Sequence, residues 1–316
     1  MSKSKARQSR PASTPQPASA RSSPQSQPAP PTVSGTWLLS GLGLTLLAAL
    51  LCAWGTLCIL FWQGNWQLLY HPASAVTKTP ANVNLPFESI GFATNASGEP
   101  QLRGWWIPAS SQPHFTALYL HDQTGNLGDT VDELLPFHEA GLNIFAFDYR
   151  GYGQSHFERP SEKRWREDAE FALQYLSGTR HIPASSIILI GRYLGADLAL
   201  EIAAAHPDLA GIVLEQPDEN PTATIFNDPR ARLVPAHLLV GDRWDTNATA
   251  SNLLIPSLWI YWAPASMTAL EGEAPQTYRS VPARKTIVWL SKSLDDEQQY
   301  SSSLSAFLDQ LQKPAK

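Results

Sequence analysis

Ile190-Gly-Arg-Tyr-Leu-Gly-Ala196 follows directly on the apolar run Ser186–Ile190. Around it, similar short β-rich runs occur at Leu102–Ile107, Thr116–His121, Asn143–Asp148, Gly211–Glu215, Ser257–Trp262 and Lys285–Leu290. Runs this short and nearly continuous suit strands buried on both faces of a parallel sheet. Helical patterns lie between them. The clearest starts after Ser161, a suitable N-cap. It carries Trp165, Ala169, Ala172, Leu173 and Leu176 at helical spacing, with Gly178 at its stop. A last helix, about Glu297–Leu311, places Tyr300, Leu304, Phe307, Leu308 and Leu311 on one stripe. Strand–helix alternation at this spacing predicts an α/β domain with a doubly wound, mostly parallel sheet. No internal repeat is present.

Before that domain the chain changes character. Residues 1–35 are rich in Pro, Ser, Ala and Gln and lack periodic apolar residues, so they predict a disordered, basic tail. The uncharged run Trp37–Trp62 reaches the ~20 residues needed for one bilayer crossing. Trp37, Trp62 and Trp66 lie near its ends, where indoles favour the headgroup region. A cleaved signal peptide ending at Ala73-Ser-Ala75 is the rival. The apolar run is too long for it, and the triplet lies too far downstream. The division expected is therefore tail 1–35, transmembrane helix 36–63, connector 64–85 and α/β domain 86–316. The basic flank precedes the helix and no charge follows until Lys78, so the N-terminus is expected in the cytoplasm. The C-terminal domain then faces the other side, the periplasm if the source is bacterial.

The chain has 23 basic and 28 acidic residues. Lys3, Lys5, Arg7, Arg10 and Arg21 stand in the tail with no acid. With those five set aside the remainder stands at -10. An acidic domain argues against a nucleic-acid partner. Cys52 and Cys58 are the two cysteines, both in the apolar run, so the domain has neither a disulfide nor a thiol nucleophile. The histidines are scattered singly, without metal-ligand spacing, and no metal or other cofactor is expected. Asn95-Ala-Ser97 and Asn247-Ala-Thr249 match the glycosylation sequon.

Several segments, in order, resemble the α/β-hydrolase superfamily and its single-pass, membrane-anchored branch, whose members are aminopeptidase-like or esterase-like. Leu118-Tyr-Leu-His-Asp-Gln-Thr-Gly-Asn-Leu-Gly-Asp129 is similar to the oxyanion strand and loop. Phe147-Asp-Tyr-Arg-Gly-Tyr-Gly-Gln-Ser155 is similar to a hallmark of that branch. Ile190-Gly-Arg-Tyr-Leu-Gly-Ala196 sits where the nucleophile elbow is expected, and Gly241-Asp-Arg-Trp-Asp245 and Asn252-Leu-Leu-Ile-Pro256 continue the match. The resemblance runs from about Gln67 to the C-terminus.

What the resemblance implies about activity turns on departures from it. The elbow glycines persist as Gly191 and Gly195, but the serine position is Tyr193. A phenol of ordinary pKa ~10 needs a base before it becomes nucleophilic. The triad acid aligns with Ala265 and the general-base histidine with Leu294. The sequence contains no histidine after His237. Asp122 replaces the usual oxyanion-loop glycine, where its carboxylate opposes a developing oxyanion. Asp122, Gln123 and Leu194 mark the former oxyanion region. His121, Arg192 and Tyr193 are the candidate ligand contacts, although adjacent residues at a strand end point apart. Asp148 is expected to hydrogen-bond loop amides, and Arg192 to pair with an acid. About forty residues between Glu215 and Ile255 suit a modest lid. Three readings follow. The chain is a non-catalytic binding or scaffolding module at the membrane, a hydrolase of esters, thioesters or peptides with a non-standard site, or a sensor of a lipid or acyl ligand.

Overall fold

The computed structural model describes residues 33–262, 274–291 and 296–313. Ala265 and Leu294 lie outside these residues. The chain divides into two compact units, Met1–Leu51 and Cys52–Lys316. Helix α1, Gly35–Gly64, begins in the first and ends in the second. Gly35–Leu68 is long and apolar enough to cross a membrane, and its side chains are almost all exposed. An apolar helix this exposed needs an apolar solvent, and a bilayer supplies one.

The second unit is built on strands β1 (Glu88–Thr94), β2 (Pro100–Ile107), β3 (Thr116–Leu120), β4 (Asn143–Asp148), β5 (Ile187–Arg192), β6 (Gly211–Glu215), β7 (Ser257–Trp262) and β8 (Lys285–Leu290). They form an eight-stranded sheet in the order β8-β7-β6-β5-β3-β4-β2-β1. The pairs β1–β2 and β2–β4 are antiparallel and the rest parallel. The sheet is mostly parallel, as the alternation predicts. β1 is the strand that sequence pattern missed, because an edge strand with one solvated face has no continuous apolar run.

Helices α2 (Leu135–Glu139), α3 (Glu162–Gln174), α4 (Leu194–Ala205), α5 (Ala223–Asn227), α6 (Ala236–Leu239), α7 (Thr246–Ala250), α8 (Gln276–Ser280) and α9 (Asp296–Gln312) complete the unit. Ser161 caps α3, its hydroxyl accepting from the Arg164 amide at 3.4 Å. Alternate residues along each central strand enter two separate cores. Leu118, Phe145, Phe147, Ile187 and Leu189 pack with Trp165 of α3 and Leu198 of α4. Ala117, Tyr119, Ile144, Ala146, Ile188 and Ile190 pack on the other face with Phe137 of α2 and Phe307 of α9.

Leu69 and Tyr70, in the stretch expected to be a connector, are buried in the first of these cores. The Tyr70 hydroxyl donates to Asp242 at 2.7 Å and accepts from the Trp244 indole at 3.1 Å. A soluble piece beginning at Ala75 would lose both side chains. The segment after β6 folds as α5, α6 and α7 with short connections, consistent with a modest lid.

Candidate functional site

Directly after β5 the chain reverses into α4, and Tyr193 is the pivot. Its backbone has φ 48° and ψ -123°, outside the regions a side-chain-bearing residue favours. The turn is held by its neighbours: the Tyr193 amide donates to Glu215 O at 2.8 Å, and the Ala196 amide donates to Tyr193 O at 2.8 Å. A Cβ on Gly191 would collide with the Gly195 carbonyl. One on Gly195 would collide with the Leu120 and His121 carbonyls. Both positions therefore require glycine, and the strained elbow is retained with a phenol at its tip. The Tyr193 side chain is 38% exposed, so it stands up at the C-terminal edge of the sheet.

The oxyanion region is internally satisfied. The Leu194 amide, which would face an oxyanion, points to the Gln123 side-chain oxygen at 3.4 Å. The Asp122 carboxylate accepts from the Thr124 amide at 2.9 Å, closing an Asx turn. Burial pushes the Asp122 pKa up, partly offset by that amide and by Arg192.

His121 lies beneath the loop and is fully buried. It packs against Tyr149, Tyr152 and Trp165, with ring centroids 4.5, 5.3 and 6.3 Å away. Its Nδ1 is 2.8 Å from Asp122 O. A carbonyl only accepts, so Nδ1 carries the proton and Nε2 keeps a lone pair. Nε2 has no hydrogen-bond partner among the described residues and stands 3.7 Å from Asp148 Oδ1. Burial lowers the His121 pKa to about 4. The Leu127 amide donates to Asp148 at 2.7 Å, the loop-amide role expected of that residue.

This sets a pH dependence. The unfolded imidazole titrates near ~6.5, so between pH 6.5 and 4 the unfolded chain binds the extra proton. The stability contributed by neutral His121 is present above the unfolded pKa. It is lost as pH falls toward 4, by roughly 3 kcal/mol in full. Urea unfolding of the wild type and His121→Gln from pH 7.5 to 4.5 is expected to give a steeper acid loss in the wild type. A gap between the two proteins that does not change with pH would refute this.

Of the three residues suggested as ligand contacts, Tyr193 alone lines the cavity above the elbow. Arg192 is not among the cavity's lining residues, although its guanidinium lies 5.4 Å from the Tyr193 ring. Its guanidinium pairs with Glu133 at 2.5 Å and lies 5.5 Å from the Trp262 ring, as its expected acid pairing requires. The cavity measures about 460 Å³ and is bounded by Gln123, Tyr193, Leu194, Asp197, Gln216, Asp218, Glu219 and Tyr261, among others. Asp197, Gln216 and Tyr261 went unnoticed in the sequence. A signal for Asp197 existed: it is the one charge in Leu194–Leu200, an otherwise apolar helical start. Trp259 and Trp244 do not line the cavity; both are buried in the core. Among the described residues no group of three or more His, Cys, Asp or Glu is placed to hold a metal ion.

No protein-family model matches the chain. Curated relatives do. The α/β-hydrolase domain-containing protein WAV2 of Arabidopsis thaliana is 29% identical over 187 residues, 57% of this chain and 58% of that protein. A membrane protein of Saccharomyces cerevisiae is 32% identical over 139 residues, 43% of this chain and 48% of that one. The chain spans about half the length of the curated relatives it matches. Among solved structures, an esterase of Pyrococcus furiosus superposes with TM-score 0.56 at 17% identity, covering 78% of this chain and 98% of that one. An elbow of this geometry on this sheet, with homologues named for the domain, makes the chain an α/β-hydrolase-fold protein with one N-terminal helix able to span a membrane.

Proposed function

We propose that this chain is a non-catalytic hydrolase relative that works as a membrane-held binding module. The observation that carries the reading is Tyr193: the elbow keeps its strained backbone and both glycines, but presents a phenol where a nucleophile would stand. Neither His121 nor Gln123, the loop residues beneath and beside the elbow, supplies a base to Tyr193. His121 is sealed below the loop, and Gln123 occupies the Leu194 amide. The aligned acid and base positions, Ala265 and Leu294, carry no titratable group. A serine-type mechanism needs all of these parts acting together. The retained cavity favours ligand binding over a purely structural role. The basic tail before α1 favours a cytoplasmic N-terminus, with the domain on the opposite side.

The test is hydrolysis by the full-length protein in detergent on a panel of acyl-ester, thioester and aminoacyl substrates. Wild type and Tyr193→Phe are both expected at the rate of the protein-free blank, and Tyr193→Ser alone is expected to gain nothing. Turnover abolished by Tyr193→Phe would establish a phenol-based or rebuilt catalytic site and overturn the reading.

A further inference from the structure

The floor of the cavity holds two polar atoms without a hydrogen-bond partner among the described residues. Asp197 is 3% exposed and Tyr261 8% exposed, and both line the cavity. Asp197 Oδ1 and the Tyr261 hydroxyl have no hydrogen-bond partner among the described residues. The other Asp197 oxygen accepts from the Asp218 amide at 3.4 Å. A buried polar atom left unpaired costs about 1–3 kcal/mol, more when charged, so two on one wall need a reason. The rim adds the exposed carboxylates of Asp218 and Glu219, and among the described residues no Lys, Arg or His lines the cavity. The sequence from 263 to 273 contains no basic residue either. Tyr261 supplies an aromatic wall; the Tyr193 ring also lines the cavity but already has the Arg192 guanidinium 5.4 Å from its centroid. Excess acceptors, uncompensated negative charge and aromatic surface together define the complement of a cation that donates hydrogen bonds.

The geometry points to a binding site for a primary ammonium group, seated on the side chains of Asp197 and Tyr261 and attracted by Asp218 and Glu219. A quaternary ammonium has no N–H to offer Asp197, and a neutral alcohol brings no charge, so both fit less well. The inference deepens the binding-module reading by naming the ligand chemistry. In the empty cavity burial drives the Asp197 pKa well above the usual carboxylate range; the Asp218 amide and the Thr246 hydroxyl only partly offset it. An arriving ammonium favours the ionised form, so Asp197 gives up its proton to solvent as the ion pair forms.

The experiment is calorimetric titration of full-length protein in phosphatidylcholine nanodiscs with n-butylammonium chloride. It is run at constant ionic strength and pH 7, in two buffers of different ionisation heat. Saturable binding with proton release is expected, with no binding of n-butanol. Asp197→Asn, which keeps the side-chain volume, is expected to weaken binding at least tenfold and remove the proton release. The exposed pair Asp218→Asn and Glu219→Gln is expected to weaken it severalfold without touching the core. No saturable binding to the wild type, or an unchanged Kd in both variants, would overturn the site. Repeating the titration with phosphatidylethanolamine in the nanodiscs separates the sources. Competition by that lipid assigns the site to a headgroup amine, and its absence to a soluble amine. Hydrolysis by the same preparation would sink the non-catalytic reading and leave the site standing, whereas silence in both assays would sink the site alone.

Discussion

Gly195→Ala is expected to lower folding stability by about 3 kcal/mol, the upper part of the usual range for forcing a methyl into a filled core. The added carbon would meet two backbone carbonyls, Leu120 O and His121 O, rather than the tip of a flexible side chain. Helix α4 would have to move away from β3, and the central strand cannot follow because it is paired on both sides, with β4 and β5. Alanine's better helix propensity returns only about 1 kcal/mol. Gly178→Ala is the control, since a Cβ there meets nothing within 4 Å. Urea unfolding of the two variants is expected to separate them by several-fold in their free-energy change. Equal midpoints would mean that α4 does not press on the β3 carbonyls as described. The cost belongs to the elbow itself, a strained turn that the packing of α4 on β3 holds in place.

The second large effect is expected at Arg150. Asp168 is fully buried, and Arg150 meets it twice: Nε donates to Oδ1 at 2.6 Å and the Arg150 amide to Oδ2 at 2.8 Å. The same guanidinium reaches Glu158 at 3.0 Å and Glu167 at 2.7 Å. Arg150→Met keeps much of the apolar stem but leaves the Asp168 carboxyl buried with only an amide. Breaking a buried pair this way costs about 3–5 kcal/mol, whereas replacing both partners by apolar groups is often close to neutral. The double variant Arg150→Met with Asp168→Leu is therefore expected to recover most of the loss in thermal or urea unfolding. Additive losses in that cycle would refute the pairing. Glu158 and Glu167 are a third or more exposed, so their removal is expected to change stability by less than about 1 kcal/mol. Arg150 thus ties the turn after β4 to α3.

Much of this architecture was legible because strands buried on both faces leave an apolar run that no other element imitates at that length. The runs at 143–148, 211–215, 257–262 and 285–290 match observed strands to the residue. Ser161 announced α3 because an N-cap hydroxyl has one geometric purpose. β1 escaped because half of it faces solvent, and Leu69 and Tyr70 escaped because two buried side chains before the first strand have no periodicity to reveal them. In the site, Gly191, Tyr193 and Gly195 were placed through the resemblance to a nucleophile elbow, and the structure gives the reason the two glycines are needed there. The positions of Ala265 and Leu294 fall outside the described residues.

By itself, then, the sequence determined the mostly parallel α/β class and the helix apolar and long enough to span a membrane, both consequences of local spacing and hydrophobic pattern, while the residue at the elbow was placed by resemblance. Which polar groups go without partners is not a local property. Arg192 adjoins the elbow in sequence and His121 ends the oxyanion strand, yet an acid engages the first and packing buries the second. Asp197 and Tyr261, on α4 and β7, come together only where the sheet ends and the segment after β6 crosses over it. A cavity is the space left among elements distant in the chain, and only their three-dimensional packing decides what faces it.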